Sequence, residues 1–206
     1  WCCLVGSEMC IRDSLCNSNN FNGPATEWHT DQAANTDCFA VKVAFYLDEL
    51  DENSGGLRFL PCSHREPLNS DLWDFGLHGS NETDIKDYQS KSGLEIDQVP
   101  SYYCHTNPGD MVIFNLKIWH SSLGGRKNKR NVSINYSKYP EKESESESLK
   151  KLAIQSKQTM KELNFPTPQF SNYWIDQIKN SPHHECLNSL YEFEFIENNY
   201  LKGGLM

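Results

Sequence analysis

The chain has 206 residues, 37% of them hydrophobic and 12% aromatic, which is enough for one domain with its own core. The formal net charge is −9, and the largest basic cluster is the short stretch 126–130, so nucleic acid is not an expected partner. No apolar run reaches the roughly twenty residues that a membrane-spanning helix needs. Composition predicts no oligomeric state.

The first segment, 1–14, contains Leu4–Asp13, which is similar to one translated frame of a transposase adaptor used for sequencing libraries. We interpret residues 1–14 as adaptor-derived and leave them out of fold reasoning. The alternative is a natural loop with this sequence by chance. On the first interpretation, a β-rich core lacking its N-terminal part occupies 15–140, and a helical extension that packs on this core occupies 141–206.

The cysteines give an expectation about the compartment. Three of the eight lie in the excluded stretch, and the other five include no C-x-x-C pair. This pattern favours reduced thiols and a cytoplasmic location over disulfides or a zinc site.

The next informative feature is the triplet His29-Thr30-Asp31. Side chains two apart on a β-strand point to the same face, so His29 and Asp31 could bind one metal ion. Taken alone, the triplet is also compatible with a polar surface turn.

Alternating residues over 39–48 predict a strand, 48–56 an acidic turn, and 57–61 a short strand. The stretch 63–101 is long and polar, and we expect it to cover the mouth of a barrel. His64 opens this stretch, where it could orient a substrate or only hydrogen-bond the covering segment.

The apolar run 110–119 ends at His120 and predicts one strand that lines a barrel interior. The residues that share the parity of His120 are all apolar: Val112, Phe114, Leu116 and Ile118. With His29 and Asp31, His120 would complete two imidazoles and one carboxylate, the facial triad of non-haem Fe(II) oxygenases. A histidine that merely ends a buried strand is the alternative.

The stretch 124–129 predicts a hairpin connection, followed by a strand from Arg130 to Tyr136. Parity places Arg130 on the apolar, inward face, where a guanidinium could clamp a buried carboxylate. An arginine that starts a strand and pairs with an acid is the alternative. Farther on, an apolar stripe from Leu149 to Leu163 predicts one helix, with shorter helices over 170–178 and 185–195.

These residues, with Gly55–His64 and Gly109–Phe114, resemble the phytanoyl-CoA dioxygenase family of Fe(II)/2-oxoglutarate-dependent oxygenases over roughly 28–136. The resemblance implies a mainly β, double-stranded β-helix (jelly roll, cupin-like) fold with flanking helices. It also implies iron on His29, Asp31 and His120, with 2-oxoglutarate and O2 as co-substrates. Arg130 would bind the distal carboxylate of 2-oxoglutarate, and Ser122 would supply a hydroxyl beside it.

The chain departs from the family pattern where Pro61-Cys62-Ser63-His64 replaces Pro-Gly-Ser-His. The substrate therefore need not be an acyl-CoA. We expect hydroxylation of a small organic substrate with release of succinate. The rivals are a non-catalytic cupin-like metal- or ligand-binding module, which needs no inward Arg130, and a related halogenase, against which Asp31 argues because halide binds where that carboxylate would be.

Overall fold

The computed structural model describes residues 17–18, 26–33, 35–78, 82–122, 130–162, 170, 172–181 and 184–196. Its strands are β1 (Asn17–Ser18), β2 (Thr26–His29), β3 (Ala40–Tyr46), β4 (Leu57–Phe59), β5 (Tyr102–Tyr103), β6 (Met111–Asn115), β7 (His120–Ser122) and β8 (Asn131–Ser137). Its α-helices are α1 (Leu68–Asp74), α2 (Glu82–Ser92), α3 (Glu143–Glu162), α4 (Asn172–Lys179) and α5 (Glu185–Glu192). Within these ranges we find no helix with the length and apolar character that a membrane crossing requires.

The described strands form two four-stranded sheets, in the orders β1-β8-β3-β6 and β2-β7-β4-β5. The chain alternates between them, since β2, β4 and β7 belong to one sheet while β3, β6 and β8 belong to the other. In the second sheet, β7 pairs antiparallel with both β2 and β4. This alternation is that of a jelly roll, and the predicted fold class is confirmed.

The alternating pattern of β3 separates an inner from an outer face. Ala44 and Tyr46 are buried against Leu57 and Val112, whereas Phe45 is exposed. Because side chains alternate along a strand, position 42 lies on the same inner face as Ala44 and Tyr46. The inner face therefore contains one lysine among small and aromatic residues.

The predicted single strand over 110–119 is wrong, because β6 covers only its first half, residues 116–119 form a turn, and His120 begins β7 in the other sheet. Strand β6 ends at Asn115, whose side-chain oxygen accepts a hydrogen bond from the Lys117 amide at 2.8 Å, while the Ile118 amide donates to its carbonyl at 3.0 Å. These bonds close a turn of the kind that asparagine favours. The predicted apolar face survives, because Phe114 and Leu116 are buried.

The stretch 63–101 was predicted as a polar excursion, and the structure adds helices α1 and α2 and a 3-10 helix at Ile96–Gln98 within it. Buried Leu77, Tyr88 and Val99 form one cluster with Trp28 and Trp119. Trp28 neighbours His29 on β2, so this cluster covers the face of the sheet opposite to His29.

The described residues divide into two compact units, one within 17, 36–41 and 134–196, the other within 18–35 and 42–133. In the first unit, α3, α4 and α5 share a hydrophobic cluster that includes Cys38, Leu149, Ile175 and Leu190. Helix α3 starts earlier than the predicted stripe, with Glu143 and Glu145 in its first turn, where carboxylates favour the helix dipole. The predicted break at 166–168 lies outside the described residues, as does the predicted hairpin at 124–129.

Residues 1–14 also lie outside the described residues, and their adaptor origin stays a prediction. We expect deletion of 1–14 to change the free energy of unfolding by no more than about 0.5 kcal/mol, as for changes away from packed features. Urea unfolding of the full and shortened chains measures the difference. A loss of several kcal/mol would show that this segment belongs to the fold.

Candidate metal centre

Two paired strands bring the first two candidate ligands together. His29 ends β2 and His120 begins β7, and the two residues are direct partners in the antiparallel ladder. Phe59 of β4 is the partner of His120 on its other side. The ring centroids of His29 and His120 lie 4.3 Å apart. The imidazoles therefore stand side by side on one face of the sheet.

Asp31 reaches the same place by a different route from the predicted one. Strand β2 ends at His29, so Asp31 is not on the strand with it, and simple strand alternation does not place it. Instead, the amides of Asp31 and Gln32 both donate to the carbonyl of Leu116, at 2.9 and 3.1 Å. The turn between β6 and β7 thus fixes the carboxylate beside the two histidines.

Backbone carbonyls set the tautomer of both imidazoles. His29 Nδ1 donates to the Glu27 carbonyl at 2.8 Å, and His120 Nδ1 donates to the Ile118 carbonyl at 3.0 Å. Because a carbonyl only accepts, each Nδ1 must carry the proton, which leaves the Nε2 lone pairs free. Both Nε2 atoms face Asp31, at 3.9 Å from Oδ1 for His29 and 3.4 Å from Oδ2 for His120. A hydrogen bond from the other ring nitrogen to a backbone carbonyl commonly orients the histidine ligands of metals.

The electrostatics favour the ligand forms of His120 and Asp31. Burial lowers the pKa of His120 to about 3, so that its imidazole is neutral at neutral pH. Burial alone would raise the pKa of Asp31, but the charges of Lys42, His120 and His29 outweigh it and hold that pKa well below its usual range. A neutral imidazole and an ionised carboxylate are the species that bind metal.

The ligand atoms of His29, Asp31 and His120 all lie within 4.8 Å of one another. An ion with bonds of roughly 2 Å holds its ligand atoms at most about 4 Å apart, so a small inward shift of these side chains brings all three onto one ion. Two imidazoles and one carboxylate suit Fe(II) and leave coordination positions open, so the residues present fit the metal that the sequence pattern implies. The convergence that the motif predicts is what the structure contains.

The predicted inward orientation of Arg130 is wrong. Its side chain is 60% exposed, and Nη2 lies 3.0 Å from Asp48 Oδ1. Its backbone amide also donates to Asp48 Oδ2, at 2.6 Å. Asp48 raises the pKa of Arg130 through these contacts. The alternative from the sequence, a strand-start arginine paired with an acid, describes the observed contact.

The two remaining predicted residues differ in their surroundings. Ser122 is buried on β7, two positions after His120, and therefore lies on the same face of the strand. His64 is half-buried in the turn after β4, and no described group hydrogen-bonds its buried Nδ1. Cys62, in the same turn, has φ 67°, the left-handed conformation that the glycine of the family pattern adopts more readily.

Two basic residues in this unit were not predicted. Lys42 Nζ lies 2.7 Å from Asp31 Oδ2, and its signal in the sequence was a lone charge on one face of an otherwise apolar strand. Arg58 is buried, and its Nη1 donates to the Asp97 carbonyl at 2.8 Å while the guanidinium lies 4.6 Å from the Trp28 ring centroid. The described partners of Arg58 thus include a backbone carbonyl, an aromatic ring and the Ser121 hydroxyl, to which Nε donates at 3.3 Å.

The fold is a jelly roll, and His29, Asp31 and His120 form a two-histidine, one-carboxylate group that could hold a metal ion. The chain belongs to the phytanoyl-CoA dioxygenase family, which matches residues 3–131. This matched range begins within the segment that we interpret as adaptor-derived. A search of curated proteins finds no match to the chain.

Several solved structures are similar to the chain at low identity. EctD from S. alaskensis with 2-oxoglutarate and 5-hydroxyectoine is 19% identical, with a TM-score of 0.40, over 66% of this chain and 46% of that one. EvdO2 from Micromonospora carbonacea var. aurantiaca complexed with 2-oxoglutarate is 20% identical, with a TM-score of 0.39, over 62% and 50%. The chain spans between 25% and 52% of the length of the first solved structures it matches.

Proposed function

We propose that the protein is an Fe(II)/2-oxoglutarate-dependent oxygenase that hydroxylates a small organic substrate. The observation that carries the proposal is the convergence of His29, Asp31 and His120 with both Nε2 atoms directed at the carboxylate. When bound, the iron supplies the oxidative chemistry, in which 2-oxoglutarate and O2 become succinate and CO2 while one oxygen atom enters a C–H bond of the substrate.

The protein's own contribution is to hold the ligands and limit water. Phe114 and Phe59 contact His120, with ring centroids 4.9 and 6.1 Å from the imidazole. Their apolar rings leave His120 almost without contact with solvent on the inner face. A partly dry, preoriented ligand set costs little reorganisation when the metal and co-substrate bind.

For the co-substrate we propose that Ser122 hydrogen-bonds one carboxylate of 2-oxoglutarate and that Arg130 binds the distal one. Ser122 supports this because it is buried on the face of β7 that carries His120. Arg130 can take part only by exchanging the carboxylate of Asp48 for that of 2-oxoglutarate.

The exposed position of Arg130 sets the expected size of its effect. Arg130→Ala should weaken 2-oxoglutarate binding by no more than about tenfold, because an exposed ion pair with Asp48 is given up in exchange. Arg130→Lys keeps the charge but loses the planar guanidinium, so its affinity for 2-oxoglutarate should lie between those of the wild type and Arg130→Ala. Calorimetry with Mn(II)-loaded protein measures this. Equal affinity in all three proteins would remove Arg130 from the co-substrate site.

The second candidate is a metal-binding module without turnover. The contact of Arg130 with Asp48 favours this candidate. An inward Arg130 would have argued against a module without turnover, but among the described residues Arg130 is exposed and pairs with Asp48. Calorimetric titration of 2-oxoglutarate into Mn(II)-loaded and metal-free protein separates the candidates. We expect binding only with metal. A protein that binds metal but not 2-oxoglutarate would favour the metal-binding module over the oxygenase.

A further inference from the structure

Lys42 stands at the metal centre although neither the ligand set nor the co-substrate proposal uses it. It projects from the inner face of β3, and its Nζ lies 2.7 Å from Asp31 Oδ2. The side chain is 20% exposed, and Nζ is 5.9 Å from the centroid of the Phe114 ring. An ammonium in so little water requires a compensating negative charge, and Asp31 supplies it.

Lys42 and a metal ion would compete for the same carboxylate, that of Asp31. The same oxygen, Oδ2, is the one nearest to both Lys42 Nζ and His120 Nε2. A divalent ion bound to Nε2 and to the carboxylate would therefore lie close to the ammonium. Two positive charges a few ångströms apart in a poorly solvated site repel one another strongly. Lys42 must thus oppose metal binding unless further negative charge enters.

We propose that Lys42 provides a fixed positive charge that weakens metal binding alone and strengthens the binding of a dicarboxylate co-substrate at the same site, an inference that rests on the proposed function. A divalent ion with Asp31 leaves one net positive charge, and Lys42 raises this to two. A dianion such as 2-oxoglutarate then brings this sum to zero, since Arg130 and Asp48 carry opposite charges and together add nothing to it. Without Lys42, the same complex would carry one net negative charge, which is costly away from water.

This role predicts effects of opposite sign in two measurements. Lys42→Met should bind Mn(II) more tightly and, once loaded with Mn(II), bind 2-oxoglutarate more weakly, each on the order of tenfold. A merely structural role, in which Lys42 only orients Asp31, predicts weaker metal binding in the variant. Lys42→Arg keeps the charge and should restore both affinities toward the wild-type values. Whether Lys42→Met binds Mn(II) more tightly or more weakly therefore distinguishes an electrostatic role of Lys42 from a structural one.

The experiment is calorimetry with Mn(II), then with 2-oxoglutarate into the Mn(II)-loaded protein, for wild type, Lys42→Met, Lys42→Gln and Lys42→Arg. Lys151→Met removes the same charge from an exposed residue of α3, in the compact unit that does not contain the candidate ligands, and should change neither affinity. Far-UV circular dichroism confirms that each variant is folded, and Lys42→Gln, which keeps a polar side chain, replaces Lys42→Met if the latter is not.

Tighter metal and weaker 2-oxoglutarate binding, with restoration by Lys42→Arg, would support the proposal. Metal affinity that falls or stays equal in the neutral variants, or 2-oxoglutarate affinity that stays equal, would overturn it while leaving the proposed function intact. A wild-type protein that binds Mn(II) but never 2-oxoglutarate would overturn both.

Discussion

Asp31→Ala is expected to lower the affinity for Mn(II) by more than about a hundredfold, because losing a direct ligand costs more than the 10- to 100-fold of an outer-sphere partner. The carboxylate is the only anionic ligand in the triad and lies within 3.9 Å of both imidazole Nε2 atoms. Without it, two imidazoles and the nearby Lys42 would surround a dication with no neutralising charge. His120→Ala should give a loss of similar size. Calorimetry or equilibrium dialysis with Mn(II) measures both.

A matched control for the histidine variant is His105→Ala. His105 is exposed and lies outside the triad, and its Nε2 is 2.8 Å from Oε2 of Glu52. The control should bind Mn(II) as the wild type does. If Asp31→Ala and His120→Ala bound Mn(II) as tightly as the control, the ion would be held elsewhere and the triad would not be a metal site.

Arg58→Met is expected to destabilise the fold by about 3 kcal/mol, within the range for breaking a buried charged network. The substitution leaves the Asp97 carbonyl and the Ser121 hydroxyl without the guanidinium that contacts them at 2.8 and 3.3 Å. It also removes the cation from the face of Trp28. The 3-10 helix at Ile96–Gln98 and the tryptophan that neighbours His29 are the parts expected to loosen first.

Urea unfolding of Arg58→Met measures the loss, and Arg65→Met is its control because Arg65 is exposed. The control should stay within about 0.5 kcal/mol of the wild type. A loss below about 1 kcal/mol in Arg58→Met would show that the buried guanidinium contributes specificity of packing and little net stability.

The convergence of the three candidate ligands was predictable because their chemistry is carried by residue type and spacing. His120 kept the predicted face even though its strand is interrupted, since the turn closed by Asn115 returns the chain with Phe114 still beside the imidazole at 4.9 Å. The position of Asp31 was predicted for an incomplete reason. Hydrogen bonds to the Leu116 carbonyl, from a distant part of the chain, hold it there.

Arg130 was not predictable from parity because parity applies only inside a strand, and β8 begins at Asn131. Before the strand begins, nearby polar groups determine the direction of the side chain, and Asp48 accepts hydrogen bonds from both the amide and the guanidinium of Arg130. Lys42 was overlooked because alternation defines two faces of β3 without identifying which one is inward. That choice depends on the other sheet, whose Leu57 covers the inner face.

The oxygenase proposal is tested most directly by succinate formation from 2-oxoglutarate in the Fe(II)-loaded protein, with and without O2. We expect slow, O2-dependent succinate release even without the true substrate, and its loss in Asp31→Ala. Release that continues without O2, or that survives in Asp31→Ala, would contradict an oxygenase with this ligand set. The same holds if a protein shown to bind Fe(II) and 2-oxoglutarate releases no succinate when a broad panel of small organic substrates is supplied.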